Sequence, residues 1–208
     1  MQTKLCGFTT KETVDLAVAS GADFIGFVFY PKSARNISAK RAAEIAHDIP
    51  RSVRVVAVIV DAQDKKIREI LKYLQPDLLQ IHSSKKSRIL EIKNQFQIPI
   101  IKAFPISETK DLELVQDYEN IADMFLFDGK TSGSGESFDW KILQNLKTKK
   151  RWFLSGGLNI DNIDEALKIT GARMIDLSSG IEEARGIKSP KLITEFMKKI
   201  HSLSTSKK

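Results

Sequence analysis

The sequence has a single cysteine, Cys6, among 208 residues, which excludes an internal disulfide and suits a reducing compartment. It has no long apolar run: residues 24–30 and 55–60, the most extended, fall far short of a bilayer span. The N-terminus lacks the basic, apolar and small-residue zones of a signal peptide. A cytoplasmic protein without a membrane partner is therefore expected. The histidines, at 47, 82 and 201, have no metal-ligand spacing, and no G-x-S-x-G elbow occurs. Gly129-Lys130-Thr131 imitates the end of a P-loop, but Met124 stands where its first glycine is required. Gly133-Ser134-Gly135 lacks the third glycine of a dinucleotide fingerprint, because Phe138 occupies that place. Neither a metal nor a cofactor is expected.

Positive charge is in excess, with a formal net charge of +7, but it is scattered. Lys65-Lys66, Lys85-Lys86, residues 147–151 and Lys198-Lys199 fall on polar faces or in turns, many with acidic neighbours. That distribution suits a solvated surface and a small anionic substrate better than nucleic acid. With 42% hydrophobic and 28% charged residues, the chain reads as one well-cored domain over 1–208, with a short flexible tail from about 203. Mixed Lys and Glu on the helical faces leave both a monomer and a homodimer open.

Short β-type runs alternate with helical patterns from end to end. Residues 3–6 read as a first strand, followed by a capping box of Thr9 with Glu12. Residues 24–30 form a nearly all-apolar strand of the kind buried on both faces of a parallel sheet. Ser38 is placed to cap the next helix. Residues 53–60, 78–81, 100–104, 152–154 and 174–177 repeat the theme, each followed by apolar residues at helical spacing. The segment after residue 104 carries the weakest helical pattern. About eight strand-then-helix units predict an α/β protein, a single (β/α)8 TIM barrel, with an open doubly wound sheet as the alternative.

The whole pattern is organised around residues 124–140, MFLFDGKTSGSGESFDW. A strand-length apolar run delivers Asp128 to a glycine- and serine-rich loop. In a barrel the chemistry gathers at the carboxyl ends of the strands. The residues there are Cys6, Arg35, Asp61, His82, Asp128, Ser155-Gly156-Gly157 and Ser178-Ser179-Gly180. The glycine loops ending the last two strands, Gly156, Gly157, Ser179 and Gly180, suit a phosphate approached by backbone N–H groups. Arg35 offers a guanidinium fork for a carboxylate. His82 either polarises a substrate oxygen or hydrogen-bonds within the mouth. Cys6 is a candidate base if nearby positive charge favours its thiolate, and Asp128 is a matching acid.

Several blocks, in order, resemble phosphoribosylanthranilate isomerase. They are Lys4-Leu5-Cys6-Gly7, Gly21-Ala22-Asp23 with Gly26-Phe27-Val28-Phe29, residues 33–38, Gln80-Ile81-His82, Phe127-Asp128, Gly133-Ser134-Gly135 with Phe138-Asp139-Trp140, Leu154-Ser155-Gly156-Gly157-Leu158 and residues 176–182. The resemblance implies a cofactor-free Amadori rearrangement in tryptophan biosynthesis, with Asp128 as general acid and Cys6 as general base. It further implies that Arg35 pairs with the anthranilate carboxylate, that the last two glycine loops hold the phosphate, and that Asp176 and His82 contact the sugar. The sequence departs from the family after His82, where Ser83-Ser84-Lys85 replace a usual glycine and acidic residue, and at Ser132 and Glu136. Other readings are a different phosphate-binding barrel, such as a triose-phosphate-type isomerase or pentose-phosphate epimerase, and a non-catalytic binder of sugar phosphates or nucleic acid.

Overall fold

In a computed structural model, residues 1–129 and 137–205 are described, the side chains of 204 and 205 excepted. The strands are β1 (Gln2–Cys6), β2 (Phe24–Phe29), β3 (Arg54–Val60), β4 (Leu78–His82), β5 (Ile100–Ile106), β6 (Met124–Gly129), β7 (Arg151–Leu154) and β8 (Met174–Leu177). They pair in sequence order, all parallel, and β8 returns to β1 with Lys4 opposite Asp176, so the sheet is a closed barrel. The open-sheet alternative is excluded.

Five α-helices, α1 (Lys11–Ala19), α2 (Ala39–Ala46), α3 (Asp64–Tyr73), α4 (Lys86–Phe96) and α5 (Ile163–Thr170), alternate with the strands, and α6 (Pro190–Thr205) closes the chain. α6 continues to Thr205, beyond the point where a tail is expected. Residues 206–208 lie outside those described. After β5 and β6 the chain makes 3-10 turns instead, at Thr109–Tyr118 and Trp140–Asn145. The segment with the weakest helical pattern is the first of these. The capping box expected of Thr9 and Glu12 does not form: α1 starts after Thr10, whose hydroxyl meets that of Thr13 at 2.7 Å. Ser38 does cap α2, accepting the Arg41 N–H at 3.2 Å.

Strand side chains alternate between two apolar clusters. One lies between barrel and helices and includes Ile25, Phe27, Ile59, Ile81, Phe125, Phe127 and Leu177. The other fills the lumen with Phe24, Val56, Leu78, Ile101, Leu126, Phe153 and Met174. Phe24 and Phe153 meet edge to face, with ring centroids 5.2 Å apart. This packed plug confines any cavity in the lumen to the carboxyl ends of the strands. Among the described residues no helix is long and apolar enough to cross a membrane.

A buried cation also lies on the outer, helix-facing side of the barrel wall. Lys102 of β5 is only 6% exposed, donates to the Ala103 carbonyl at 2.6 Å and sits against the Phe104 and Tyr118 rings. Burial lowers its pKa from 10.5 to about 8. Between those values the unfolded chain holds the proton and the folded chain releases it, so stability rises with pH there and the cost is complete below 8. Lys102→Met is therefore expected to raise unfolding free energy at pH 7 by about 2–3 kcal/mol. Urea unfolding should show that gain shrinking toward pH 10. A variant no more stable than the parent at pH 7 would contradict it.

Candidate active site

The carboxyl ends of the strands surround a cavity of about 340 Å³. Cys6, Arg35, His82, Asp128, Gly156, Gly157, Asp176 and Ser179 all line it. Of the residues singled out from sequence, Asp61 and Gly180 do not line it: Asp61 is exposed beyond the end of β3. A Cβ at Gly180 would lie 2.0 Å from the Leu158 carbonyl oxygen, so this glycine lets the β7 and β8 loops touch.

Cys6 enters the lumen from the end of β1, opposite Gly26 of β2. A Cβ on Gly26 would come within 2.6 Å of the Cys6 sulfur, so the missing side chain is the space the thiol occupies. The thiol is buried, 5% exposed. Burial pushes its pKa up; Lys4 opposes this, Asp176 reinforces it, and Lys188 opposes it.

Beneath Cys6 lies a pair that the sequence pattern did not mark. Lys4 is fully buried and its Nζ donates to Asp176 Oδ1 at 2.8 Å. Burial alone would lower the Lys4 pKa, but Asp176 and then Cys6 outweigh it and leave it raised. Asp176 thus faces the cavity with one oxygen committed to Lys4.

Asp128 stands at the end of β6, 8% exposed, and its Oδ1 accepts the Gly129 N–H at 2.9 Å. A capping role toward its own loop is therefore real, and it coexists with a position on the cavity wall. Gly156, at φ +88°, approaches so closely that a Cβ there would be 2.7 Å from the Gly129 nitrogen and 3.2 Å from the Asp128 carboxylate. Both the left-handed backbone and the lack of room demand glycine here. The loop expected after Asp128, with Ser132, Gly133, Ser134, Gly135 and Glu136, lies outside the described residues.

Arg35 is buried and its fork is occupied. Its Nε and Nη2 donate to the two carboxylate oxygens of Glu182 at 2.7 and 2.8 Å. Glu182 also accepts from Lys188 at 2.7 Å and from the Gly186 N–H at 3.1 Å. These residues belong to a short antiparallel hairpin, β9 (Glu182–Ala184) with β10 (Ile187–Lys188), inserted after β8. Burial raises the Glu182 pKa, but Arg35 and Lys188 more than reverse this and bring it to about 2. Burial brings Lys188 down to about 8 despite Glu182. A free fork, as the sequence suggests for Arg35, is thus corrected: only its Nη1 edge lies outside the pairing with Glu182.

His82 accepts through Nε2 from the Gln80 side-chain amide N–H at 2.9 Å. Burial, with Lys102 and Lys4 adding to it, lowers its pKa to about 3, so it is a neutral imidazole at physiological pH. The other end of Gln80, Oε1, is buried without a hydrogen bond. Ser83, which follows, has φ +55°. That left-handed conformation explains why a glycine suits this position; serine adopts it at a cost on the order of 1 kcal/mol.

Sequence reading missed Lys4, Gln80 and Glu182. Gln80 lay inside a recognised block, and alternation from His82 would have pointed it inward. Lys4 and Glu182 also lay inside recognised blocks, 4–7 and 176–182, but their roles are set by partners far away in sequence. No group of acidic, His and Cys residues suited to a metal occurs among the described residues.

Taken together, the cavity offers a thiol, a carboxyl group, a neutral imidazole, glycine loops and a tethered arginine. This set suits proton transfers on a small anion. A family model described as N-(5'phosphoribosyl)anthranilate (PRA) isomerase matches residues 3–199. A curated relative, the N-(5'-phosphoribosyl)anthranilate isomerase of Sinorhizobium fredii, is 44% identical over 94% of this chain and 91% of its own. The crystal structure of phosphoribosyl anthranilate isomerase from Thermus thermophilus superposes with a TM-score of 0.88 at 32% identity, covering 98% of this chain and all of that one (100%). Another solved phosphoribosyl anthranilate isomerase, in complex with reduced 1-(o-carboxyphenylamino)-1-deoxyribulose 5-phosphate, gives 0.83 at 32% identity, covering 97% and 99% of the two chains.

Proposed function

The chain belongs to the N-(5'-phosphoribosyl)anthranilate isomerase family, and from that premise we propose which of its groups carry the reaction. The protein isomerises N-(5-phosphoribosyl)anthranilate to 1-(2-carboxyphenylamino)-1-deoxyribulose 5-phosphate in tryptophan biosynthesis. The observation behind the assignment is that Cys6 and Asp128, from strands β1 and β6, line one cavity. Asp128, protonated, gives its proton to the furanose ring oxygen as the C1′–O bond breaks. The anthranilate nitrogen lone pair forms the C1′=N bond of a Schiff base. The Cys6 thiolate then removes the C2′ proton, and the C2′–H electron pair becomes the C1′=C2′ bond of an enolamine. Protonation at C1′ and loss of the hydroxyl proton yield the ketone. Two groups on separate strands suit this division, because the ring oxygen and the C2′ hydrogen are different atoms of one sugar.

Substrate charge divides between two regions. The backbone of Gly156, Gly157 and Ser179 is suited to the phosphate, and Gly180 serves by letting the two loops meet. Arg35 offers Nη1 to the anthranilate carboxylate while Glu182 fixes the plane of its guanidinium. His82, held neutral, is suited to a hydrogen bond with a sugar oxygen and contributes no net charge. Arg35→Ala is expected to raise KM roughly ten- to a hundred-fold with kcat changed only a few-fold, as for an interaction made equally in ground and transition states. A fall in kcat of the same size as the rise in KM would instead make Arg35 a participant in the chemistry. The general test is the change in anthranilate fluorescence on addition of freshly generated phosphoribosylanthranilate, with Asp128→Asn and Cys6→Ser proteins in parallel. Turnover by the parent that disappears in both variants supports the acid and base roles, and near-normal turnover by either variant overturns that residue's role.

A further inference from the structure

We propose that Lys4 is the positioning residue that turns Cys6 into a base, and that Asp176 acts as the buried counter-ion of Lys4. This rests on the assignment of Cys6 above, and it moves Asp176 from a sugar contact to a member of the base. Lys4 and Cys6 are two residues apart on β1, so both project into the lumen. Closure of the barrel brings Asp176 of β8 into register with Lys4, and their side chains meet at 2.8 Å with Lys4 fully buried. A buried ammonium requires a counter-charge, and Asp176 supplies it from the side of β8. From the same face of β1 the Lys4 charge favours the Cys6 thiolate and opposes the effect of burial on it, so a single ammonium acts on both Asp176 and the thiol.

The other charges around Cys6 do not replace Lys4. Lys188, on the hairpin, is committed to Glu182 and Ser178, and Arg35, from the loop after β2, is committed to Glu182. Asp128 of β6 carries the opposite sign, and His82 of β4 is neutral. When Cys6 takes the C2′ proton, the thiolate charge disappears and Lys4 falls back on Asp176 without moving out of the barrel. The pair therefore accepts both charge states of Cys6, as a base that cycles must.

Cys6 is the sole cysteine, so alkylation by iodoacetamide, followed by mass, reports on this thiol alone, and the inflection of its rate against pH reads the thiol's pKa. Lys4→Met is expected to move that inflection up by about 1–3 units, the size of a close opposite charge. Asp176→Asn is expected to move it down, because a carboxylate beside the thiolate is removed while Lys4 remains. Opposite shifts are the signature, and the acid limb of kcat/KM should move with them; a merely structural pair would not separate the two variants by sign. Because Lys4→Met leaves Asp176 unpaired, the Lys4→Met/Asp176→Asn protein is a second variant, and its inflection should also lie above that of the parent. Unmoved inflections, or shifts of one sign for both single variants, overturn the role of Lys4. This measurement uses no substrate: a Cys6→Ser protein that stays active while the shifts appear overturns the base assignment instead.

Discussion

Asp128→Asn is expected to lower kcat by about a hundred- to ten-thousand-fold, the usual contribution of one general acid, with KM changed only a few-fold. The substitution conserves size, and the amide oxygen still accepts the Gly129 N–H that Asp128 Oδ1 now takes at 2.9 Å. The end of β6 and its contact with Gly156 therefore persist. What disappears is a donor acidic enough to protonate a ring oxygen as its bond to C1′ breaks. Affinity for the reduced product analogue, 1-(o-carboxyphenylamino)-1-deoxyribulose 5-phosphate in its reduced form, should stay within a few-fold, because that ligand needs no proton transfer. Loss of binding in step with kcat would show that Asp128 holds the sugar. A kcat within a few-fold of the parent would remove it from the chemistry.

Cys6→Ser should cause a loss of similar size for a different reason. A hydroxyl ionises far less readily than a thiol, whose reference pKa is about 8.5, so almost no alkoxide is present to take the C2′ proton. The change removes little volume from the pocket bounded by Gly26, and folding should be preserved. Modification offers an independent check. One equivalent of iodoacetamide should abolish turnover, and the reduced product analogue should slow the modification by covering the cavity. Full activity after complete alkylation would show that the thiol only fills space, which is a common role for a buried cysteine.

Asp128 was legible because it follows a strand-length apolar run, and Cys6 because it ends the short first strand beside Gly7. Phe125 and Phe127 point out to the helices and Leu126 into the lumen, so alternation alone turns Asp128 inward. Gly156 was legible as a turn, and the structure adds that the turn abuts the Asp128 carboxylate. Ser83 shows the reverse: its left-handed backbone is set by the loop after β4, and nothing in Ser-Ser-Lys announces it. The 3-10 segment Thr109–Tyr118 was seen as a weak helix because its apolar residues fit neither period well. Thr9 and Glu12 had the spacing of a capping box, but α1 begins one residue later and the Thr10 hydroxyl meets Thr13 instead.

The sequence by itself determined the alternation of strands and helices, the carboxyl-end position of the reactive groups and the family, because periodicity, turn residues and motif blocks are written within a few residues. The tertiary structure decided which charges meet. Lys4 finds Asp176 across 172 residues and Arg35 finds Glu182 across 147, and neither pair exists until β8 closes on β1 and the hairpin folds over the mouth. Burial then fixes what these groups do, since removal of water makes a partner's charge, rather than the residue's own chemistry, set its protonation.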